Sequence, residues 1–346
     1  MTSSRATLVQ VAERAGVSLA STSRALHGTG ASEAMVRRVR AAAEDLGYSP
    51  DAIGRSLRTQ RTFQVAFAVA DIGNPVYVEM MTAIHEVLEP HGYRVVVMST
   101  GSTVESTADL VRSLGSRFVD GMILSPLRTD ETLVEAIQGA PVPVVVIGRS
   151  LGERGIDSVS TDSAAGIGQA VEHLLGLGRR RIAFLNGPLD TTPGEARQRG
   201  FDVATAAAGF TGEVAATAVA ADFTVAAGLA TTRSLLADVR SRTNGPGFDA
   251  IVAANDLLAI GAIRAVRERG LTVPDDVAVT GMDDTEIGRV FEPSLTSVSL
   301  GSADRGRAAA RLMLGLVRDE PRPARQVAVG PRLVVRESTT AEGSDR

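Results

Sequence analysis

The feature that most restricts the fold of this chain is an alternation, from Phe63 onward, of near-continuous apolar runs with helical patterns. The runs are FQVAFAVA, RVVVM, GMILS and PVVVIG in the first half, then RRIAFLNG, AIVAAN and VAVTGM in the second. A strand that is apolar at nearly every position is covered on both faces, which requires a parallel sheet wrapped by helices. A doubly wound α/β architecture follows. Midway, DSVSTDSAAGIGQAVEHLL begins a second set of strand and helix units, so two similar lobes are expected. Ligands in such sheets bind outside the carboxyl ends of the strands, which here means between the lobes.

A chain of 346 residues exceeds one ordinary core, and its first 61 residues differ in kind from the remainder. They hold nine Arg against five acidic residues, a charge of +4, whereas the whole chain carries −4 and the remaining 27 Arg and 35 acids carry −8. A basic head on an acidic body points to a polyanionic partner for the head. Thr7 and Gln10 have capping-box spacing, and Leu8, Val11, Ala12 and Ala15 then share one helical face that ends at Gly16. Ser18 can cap a second helix a few residues on, a connection of the helix-turn-helix sort. Ser32 can cap a third, with Val36, Val39, Ala43 and Leu46 inside and Gly47 as its left-handed stop.

The second of these helices has two usable faces. Thr22, Ala25 and Leu26 turn inward, which leaves Leu19, Ala20, Ser23 and Arg24 outside. That small, partly polar face with one guanidinium fits a DNA major groove: Arg can take two acceptors of a guanine edge, and short apolar groups can touch thymine methyls. Ser hydroxyls at a helix N-terminus can hold phosphate. The solvated face of an ordinary helical bundle has the same pattern.

Several chemistries are closed to the chain. All 36 basic residues are Arg, so neither a G-x-x-x-x-G-K phosphate loop nor a Schiff-base lysine is present. Zero Cys excludes disulfide and thiolate chemistry. Gly166 to Val171 reads G-x-G-x-x-V, but it lacks the third Gly of a dinucleotide fingerprint and lies in a helical pattern, so helix-on-sheet packing explains it better. His27, His85, His91 and His173 have no metal-ligand spacing, and Ser125 and Ser150 lack a G-x-S-x-G setting. The expectation is therefore a non-enzyme with neither cofactor nor metal. No apolar run is long enough to span a bilayer and no export signal opens the chain, so a cytoplasmic protein with no membrane partner is expected.

The segment TLVQVAERAGVSLASTSRALHG, followed by VRRVRAAAEDLGYSPDAIGRSLRTQRT, closely resembles the DNA-binding head of the lactose-repressor (LacI/GalR) family of transcription regulators. Farther on, DIGNPVYVEMM, VDGMILSP, VEHLLGLGRRRIAFLNGPLD, EARQRGF, AIVAANDLLAIGAIRAVRERGLTVPDDVAVTGMDD and FEPSLTSV are similar to that family's periplasmic-binding-protein-like sensor. The resemblance implies an all-α helix-turn-helix head at 1–49, a hinge helix and linker at 50–61, and an effector-binding and dimerisation domain at 62–346. It implies one lobe at about 62–161 plus 290–320 and another at about 162–289 plus 321–340.

In the head, the resemblance implies that Leu19, Ala20 and Arg24 face bases, while Thr7, Ser18, Ser21 and Ser23 mainly face phosphates. His27, Tyr48 and Arg55 are further DNA contacts, with His27 standing where Asn is common. Leu57 would be the hinge wedge that enters the minor groove and kinks the duplex. In the body it implies an effector cleft containing Asn74, Tyr77, Ser125, Arg149, Arg197, Phe223, Asn255 and Asp283. Arg197, Asn255 and Asp283 could chelate vicinal hydroxyls between the flat walls of Phe223 and Tyr77.

The chain departs from the family pattern at Gly148, where many members carry an acidic residue, at Thr191 to Pro193, and at Leu300 and Ser302. The tail has no apolar heptad after Val335, which gives the expectation of a homodimer on a near-palindromic operator. The function expected is effector-responsive repression of carbohydrate-utilisation genes, with a sugar or sugar derivative as effector. A nucleoside or purine is the alternative effector, because Phe223 could stack a base. A sugar-binding protein without a regulatory role would not need the head, and an NAD-dependent enzyme would need the missing glycine fingerprint.

Overall fold

The structure, a computed structural model, describes residues 6–27, 30–48, 61–116, 118–209, 217–240, 247–318 and 323–340. The chain divides into two compact units between Thr62 and Phe63.

The first unit contains α1 (Leu8–Ala15), α2 (Leu19–His27) and α3 (Glu33–Asp45). Its helix ends follow from side-chain chemistry. Gln10 N donates to Thr7 Oγ1 at 3.4 Å while Thr7 N donates to Gln10 Oε1 at 2.8 Å, and Gly16 then stops α1 at φ 64. Ser21 N donates to Ser18 Oγ at 3.2 Å, and Met35 N donates to Ser32 Oγ at 3.4 Å. Val11, Ala15, Ala25, Val39, Ala42 and Ala43 form the buried core of this unit. Thr22 is buried among them, and its hydroxyl is satisfied by donating to Ser18 O at 3.1 Å.

The second unit begins with β1 (Gln64–Val69), α4 (Pro75–Leu88), β2 (Arg94–Ser99), α5 (Val104–Ser113), β3 (Gly121–Ser125), α6 (Glu131–Gln138), β4 (Val144–Gly148) and β5 (Ser158–Thr161). It continues with α7 (Ser163–Gly176), β6 (Ile182–Asn186), α8 (Thr192–Ala207), β7 (Thr217–Val219), α9 (Val225–Arg240), β8 (Ala250–Ala253), α10 (Asp256–Glu268), β9 (Ala278–Met282) and α11 (Glu286–Val290). The chain then adds β10 (Thr296–Ser299), α12 (Ser302–Val317), β11 (Gln326–Val329) and β12 (Arg332–Val334).

The described strands form two six-stranded sheets, ordered β11-β5-β4-β3-β1-β2 and β12-β10-β9-β8-β6-β7. Their pairing is parallel except where β12 runs antiparallel to β10. Within the buried strands the period of two persists. Val65, Phe67 and Val69 of β1 pack with Ile84, Leu88 and Met313 on one side of the first sheet, while Ala66 and Ala68 pack with Val111 and Leu133 on the other. Among the described residues no helix is long and apolar enough to cross a membrane.

The strand pairing keeps the first lobe boundary and moves two later ones. β5 pairs with β4 within the expected 62–161, so the second set of units opens on the helical half of DSVSTDSAAGIGQAVEHLL. β10 pairs with β9 and belongs to the second lobe, against the expected placement of 290–320 in the first. β11 pairs with β5 and belongs to the first lobe, against the expected placement of 321–340 in the second. The chain therefore passes between lobes after β5, after β10 and after β11.

Glycines set how closely the layers approach. A Cβ at Gly166 would meet Val298 Cγ1 at 3.0 Å and Met282 Cε at 3.1 Å, whereas one at Gly168 would meet nothing within 4 Å. The G-x-G-x-x-V run thus lays α7 on the second sheet, as the sequence suggests. Between α9 and α10 the backbones themselves touch: a Cβ at Gly261 would run into Val225 O and would lie 2.6 Å from Leu229 N. Gly261→Ala is expected to lower unfolding free energy by about 1–3 kcal/mol, because rigid backbone must be displaced. Gly168→Ala, with open space and a helical backbone, is expected to raise it by about 0.4–1 kcal/mol. Urea unfolding of both variants checks the pair.

Candidate functional site

In the first unit, α2 presents the face that the sequence suggests. Leu19 is 48% exposed, Ala20 and Arg24 are exposed and Ser23 is half-buried, while Thr22 and Ala25 are buried and Leu26 packs against the core. Ser18 Oγ donates to Ser21 Oγ at 2.9 Å and Arg24 Nη2 reaches Ser21 Oγ at 3.4 Å, so polar groups run along the first turns of α2. The first backbone N–H groups of α2 have no carbonyl within the helix to receive them, which leaves a positive end beside those hydroxyls. Thr7 is exposed at the start of α1, with its polar atoms engaged by Gln10, and Tyr48 packs against the core of the unit. Arg55, Leu57 and the His27 side chain lie outside the described residues.

In the second unit, the carboxyl ends of strands from both sheets meet at a cleft that is open at its mouth. Asn74, Tyr77, Ser125, Arg197, Phe223, Asn255 and Asp283 all line it. Arg149 does not. It is exposed one residue beyond the end of β4, while Gly148, at φ 120, lines the cleft in its place and a Cβ there would meet nothing within 4 Å. The chain turns at this glycine, which carries the following side chain out of the cleft.

The first lobe contributes Asn74, whose Oδ1 caps α4 by accepting from Val76 N at 3.2 Å. One turn on, Tyr77 packs edge-to-face on Phe67, with ring centroids 6.3 Å apart. Its hydroxyl is hydrogen-bonded with Ser125 at the end of β3, and burial raises its pKa. The second lobe contributes Phe223, whose ring lies against Gly187, where any Cβ would collide with it. Asn255 caps α10 by accepting from Leu258 N at 2.9 Å, and its Nδ2 donates to Phe223 O at 3.1 Å. Its amide is thus partly committed to holding the Phe223 loop, a positioning role beyond the hydroxyl chelation expected of it.

Arg197 and Asp283 form the charged pair of the cleft floor, with Nη2 3.8 Å from Oδ1. The Arg197 guanidinium carbon also lies 5.8 Å from the Phe223 ring centroid. Asp283 and Asp284 adopt left-handed backbone, φ 107 and 53, at a cost on the order of 1–3 kcal/mol each. Polar contacts hold them there. Asp283 N donates to Val298 O at 2.9 Å and Asp284 N to Ser297 Oγ at 3.0 Å, while Arg336 reaches Asp284 Oδ1 at 2.6 Å. Beneath them, buried Asp256 accepts from Thr285 N at 2.7 Å, Thr285 Oγ1 at 2.8 Å and Ser297 Oγ at 2.6 Å. Burial foremost, then the charge of Asp283, pushes the Asp256 carboxyl up to about 7.

Sequence reasoning missed Arg305. It enters the cleft from α12 of the first lobe, buried, with Nη2 donating to Ser302 Oγ at 3.3 Å. The signal was present: Arg305 falls beside Ser302, Gly306, Ala309 and Met313 on the buried face of its helix, where a charge needs a reason. Two contacts tie the lobes at the mouth of the cleft. Arg128 of the first lobe pairs with Asp190 of the second through Nε–Oδ2 at 2.8 Å and Nη2–Oδ1 at 3.1 Å, and Thr192 N donates to Leu127 O at 2.9 Å. The Arg128 guanidinium holds the Asp190 pKa below its ordinary value. Among the described residues, no cluster of His, Asp and Glu is placed to hold a metal ion.

Residues 7–51 match the family model for bacterial regulatory proteins of the lacI family, and residues 171–339 match that for a periplasmic binding protein-like domain. The chain is similar to the HTH-type transcriptional regulator CelR of Thermobifida fusca, 35% identical across 96% of this chain and 98% of that one. It is also similar to the ribose operon repressor of Halalkalibacterium halodurans, 32% identical across 96% and 97% respectively. Among solved structures it resembles a lac repressor dimer bound to operator and the anti-inducer ONPF, with TM-score 0.84, 27% identity, and coverage of 98% of this chain and 100% of that one.

Asp256 makes the support of the cleft sensitive to pH. Its pKa rises from 3.8 to about 7 on folding, so between those values the folded chain keeps a proton that the unfolded chain has released. Its contribution to stability therefore declines as pH rises from about 4 to 7, by about 1.4 kcal/mol per unit, and is level outside that window. Unfolding free energies measured at pH 4.5 and 7.5 should fall more steeply for the natural chain than for Asp256→Asn. Equal pH dependence in the two proteins would contradict the assignment.

Proposed function

Because the chain belongs to the lacI family of bacterial regulatory proteins, we propose that it is an effector-controlled regulator of carbohydrate-utilisation genes. The observation that carries this reading is the presence in one chain of an exposed Leu19, Ala20 and Arg24 face on α2 and a polar cleft between two sheets. In this reading Arg24 takes a guanine edge, Leu19 and Ala20 meet thymine methyls, and Thr7, Ser18, Ser21 and Ser23 hold the phosphate backbone. Two heads from a homodimer then require a near-palindromic operator; the solved lac repressor structure is likewise of a dimer bound to operator.

The cleft receives a hydroxylated small molecule. Asp283 accepts from its hydroxyls, Arg197, Asn74 and Asn255 donate to them, and the Phe223 and Tyr77 rings flank its carbon skeleton. The ligand bridges the lobes that the Arg128–Asp190 pair already ties at the mouth, and so alters the balance between lobe arrangements. It can shift that balance only by binding one arrangement more tightly than the other.

Arg24→Ala should weaken operator binding by about 1–3 kcal/mol and relax selectivity at one base pair of each half-site. Binding titrations against the operator, its single-base variants and random DNA check this. Equal losses on operator and random DNA would leave Arg24 as a phosphate contact only.

A further inference from the structure

We propose that the cleft is an anion receptor, and that its effector is a hydroxylated molecule bearing a carboxylate or phosphate group held between Arg305 of the first lobe and Arg197 of the second. The inference rests on the reading of the cleft as the effector site and narrows the class of ligand. Two guanidinium groups line the cleft at 6% and 7% exposure, Arg305 and Arg197, against one comparably buried carboxylate, Asp283 at 7%. The other acids of the lining, Asp71 and Asp222, are exposed. Each also has an oxygen committed to a neighbouring backbone N–H, Gly73 N at 2.8 Å and Phe223 N at 2.7 Å. Glu79, half-buried on α4, and Asp256, buried beneath Asp283, are close enough for their charges to act on Arg305 and Arg197 respectively, but neither lines the cleft.

Hydrogen bonding points the same way. The Nε atoms of Arg197 and Arg305 are both buried without a hydrogen-bond partner, although buried polar groups of folded proteins are nearly always satisfied. A neutral hydroxyl could accept one of these hydrogens. An oxyanion accepts several and also offsets the charge of two buried guanidinium groups that share one buried carboxylate of the lining, through the forked geometry that guanidinium groups offer carboxylate and phosphate. The two cations come from different lobes, so an anion held between them bridges the lobes. Space is available: Gly148 leaves open volume where a side chain would stand, and Asp283, Asn255 and the two rings remain for the hydroxylated part of the ligand.

The test is calorimetric titration of the full-length protein with matched sets of five- and six-carbon sugars: the neutral aldose, its aldonate or uronate, and its phosphate ester. At least one acidic member should bind about ten- to a hundredfold more tightly than its neutral parent, with the carboxylate and phosphate arms identifying the group. Arg305→Met should abolish that preference while leaving the thermal midpoint of the free protein unchanged or higher, because it removes a buried cation lacking a full set of partners. Arg305→Lys, which keeps the charge and loses the fork, should retain part of the preference and serves as the folded control. A neutral sugar binding as tightly as its acidic counterparts, or undiminished acid preference in Arg305→Met, would overturn the proposal. If neutral sugars bind and change operator affinity, the anion inference fails while the regulator reading stands. If no member of either set binds, the anion inference fails, and the reading of the cleft as a sugar-effector site fails with it.

Discussion

Desolvation of charge where two sheets face each other is the constraint on which the rest of the sensor unit depends. Taking ions out of water costs several kcal/mol each, a large fraction of the total stability of a domain. Arg197, Arg305 and Asp283 are nonetheless buried together at the strand ends. Such a cluster survives only if the scaffold on either side is rigid and apolar enough to oppose its rearrangement. The parallel sheets supply that, with β1, β3, β6, β8 and β9 buried along almost their whole lengths and glycines that let α7, α9 and α10 pack at backbone distance. The strained Asp283 and Asp284 backbone is part of the same arrangement, held by Asp256, Ser297 and Arg336 so that the Asp283 carboxylate cannot withdraw.

The head solves a different problem with fewer residues. Its buried core is small, Val11, Ala15, Ala25, Val39, Ala42 and Ala43 with Leu26, Met35, Leu46 and Tyr48 packed around them, so a short domain of this kind buries proportionally little surface. Side-chain caps at Thr7, Ser18 and Ser32 and the left-handed glycines 16 and 47 fix the helix ends, so little of the short chain is left to choose its own conformation. That economy leaves one face of α2 outside the core, which is what a reading surface requires.

Much of this was legible in the residues because the signals are local. Apolar runs give the buried strands, and cap chemistry gives the helix ends of the head, since both depend on neighbours within a few positions. The lobe assignment of β10 and β11 was not legible: each is a four-residue strand, and its partner is set by long-range hydrogen bonding that TSVS and QVAV do not encode. In the cleft, Asn74, Tyr77, Ser125, Arg197, Phe223, Asn255 and Asp283, the residues that family resemblance implies, all belong to the lining. Arg149 was carried in beside Gly148, and a single glycine turn at the end of β4 sends it to the surface. Arg305 shows the reverse case: its charge on the apolar face of a helix is a visible signal, but only the folded structure shows that this end of the face reaches the cleft.

The central claim is that one chain couples a DNA-reading helix to a ligand cleft. Its most direct measurement is selection of genomic fragments by the purified full-length protein, followed by titration of the selected duplex with and without a small molecule known to occupy the cleft. The expected result is enrichment of a near-palindromic sequence whose affinity changes severalfold when the cleft is filled. Indiscriminate binding of all fragments, or an operator affinity indifferent to a ligand that demonstrably binds, would contradict the claim.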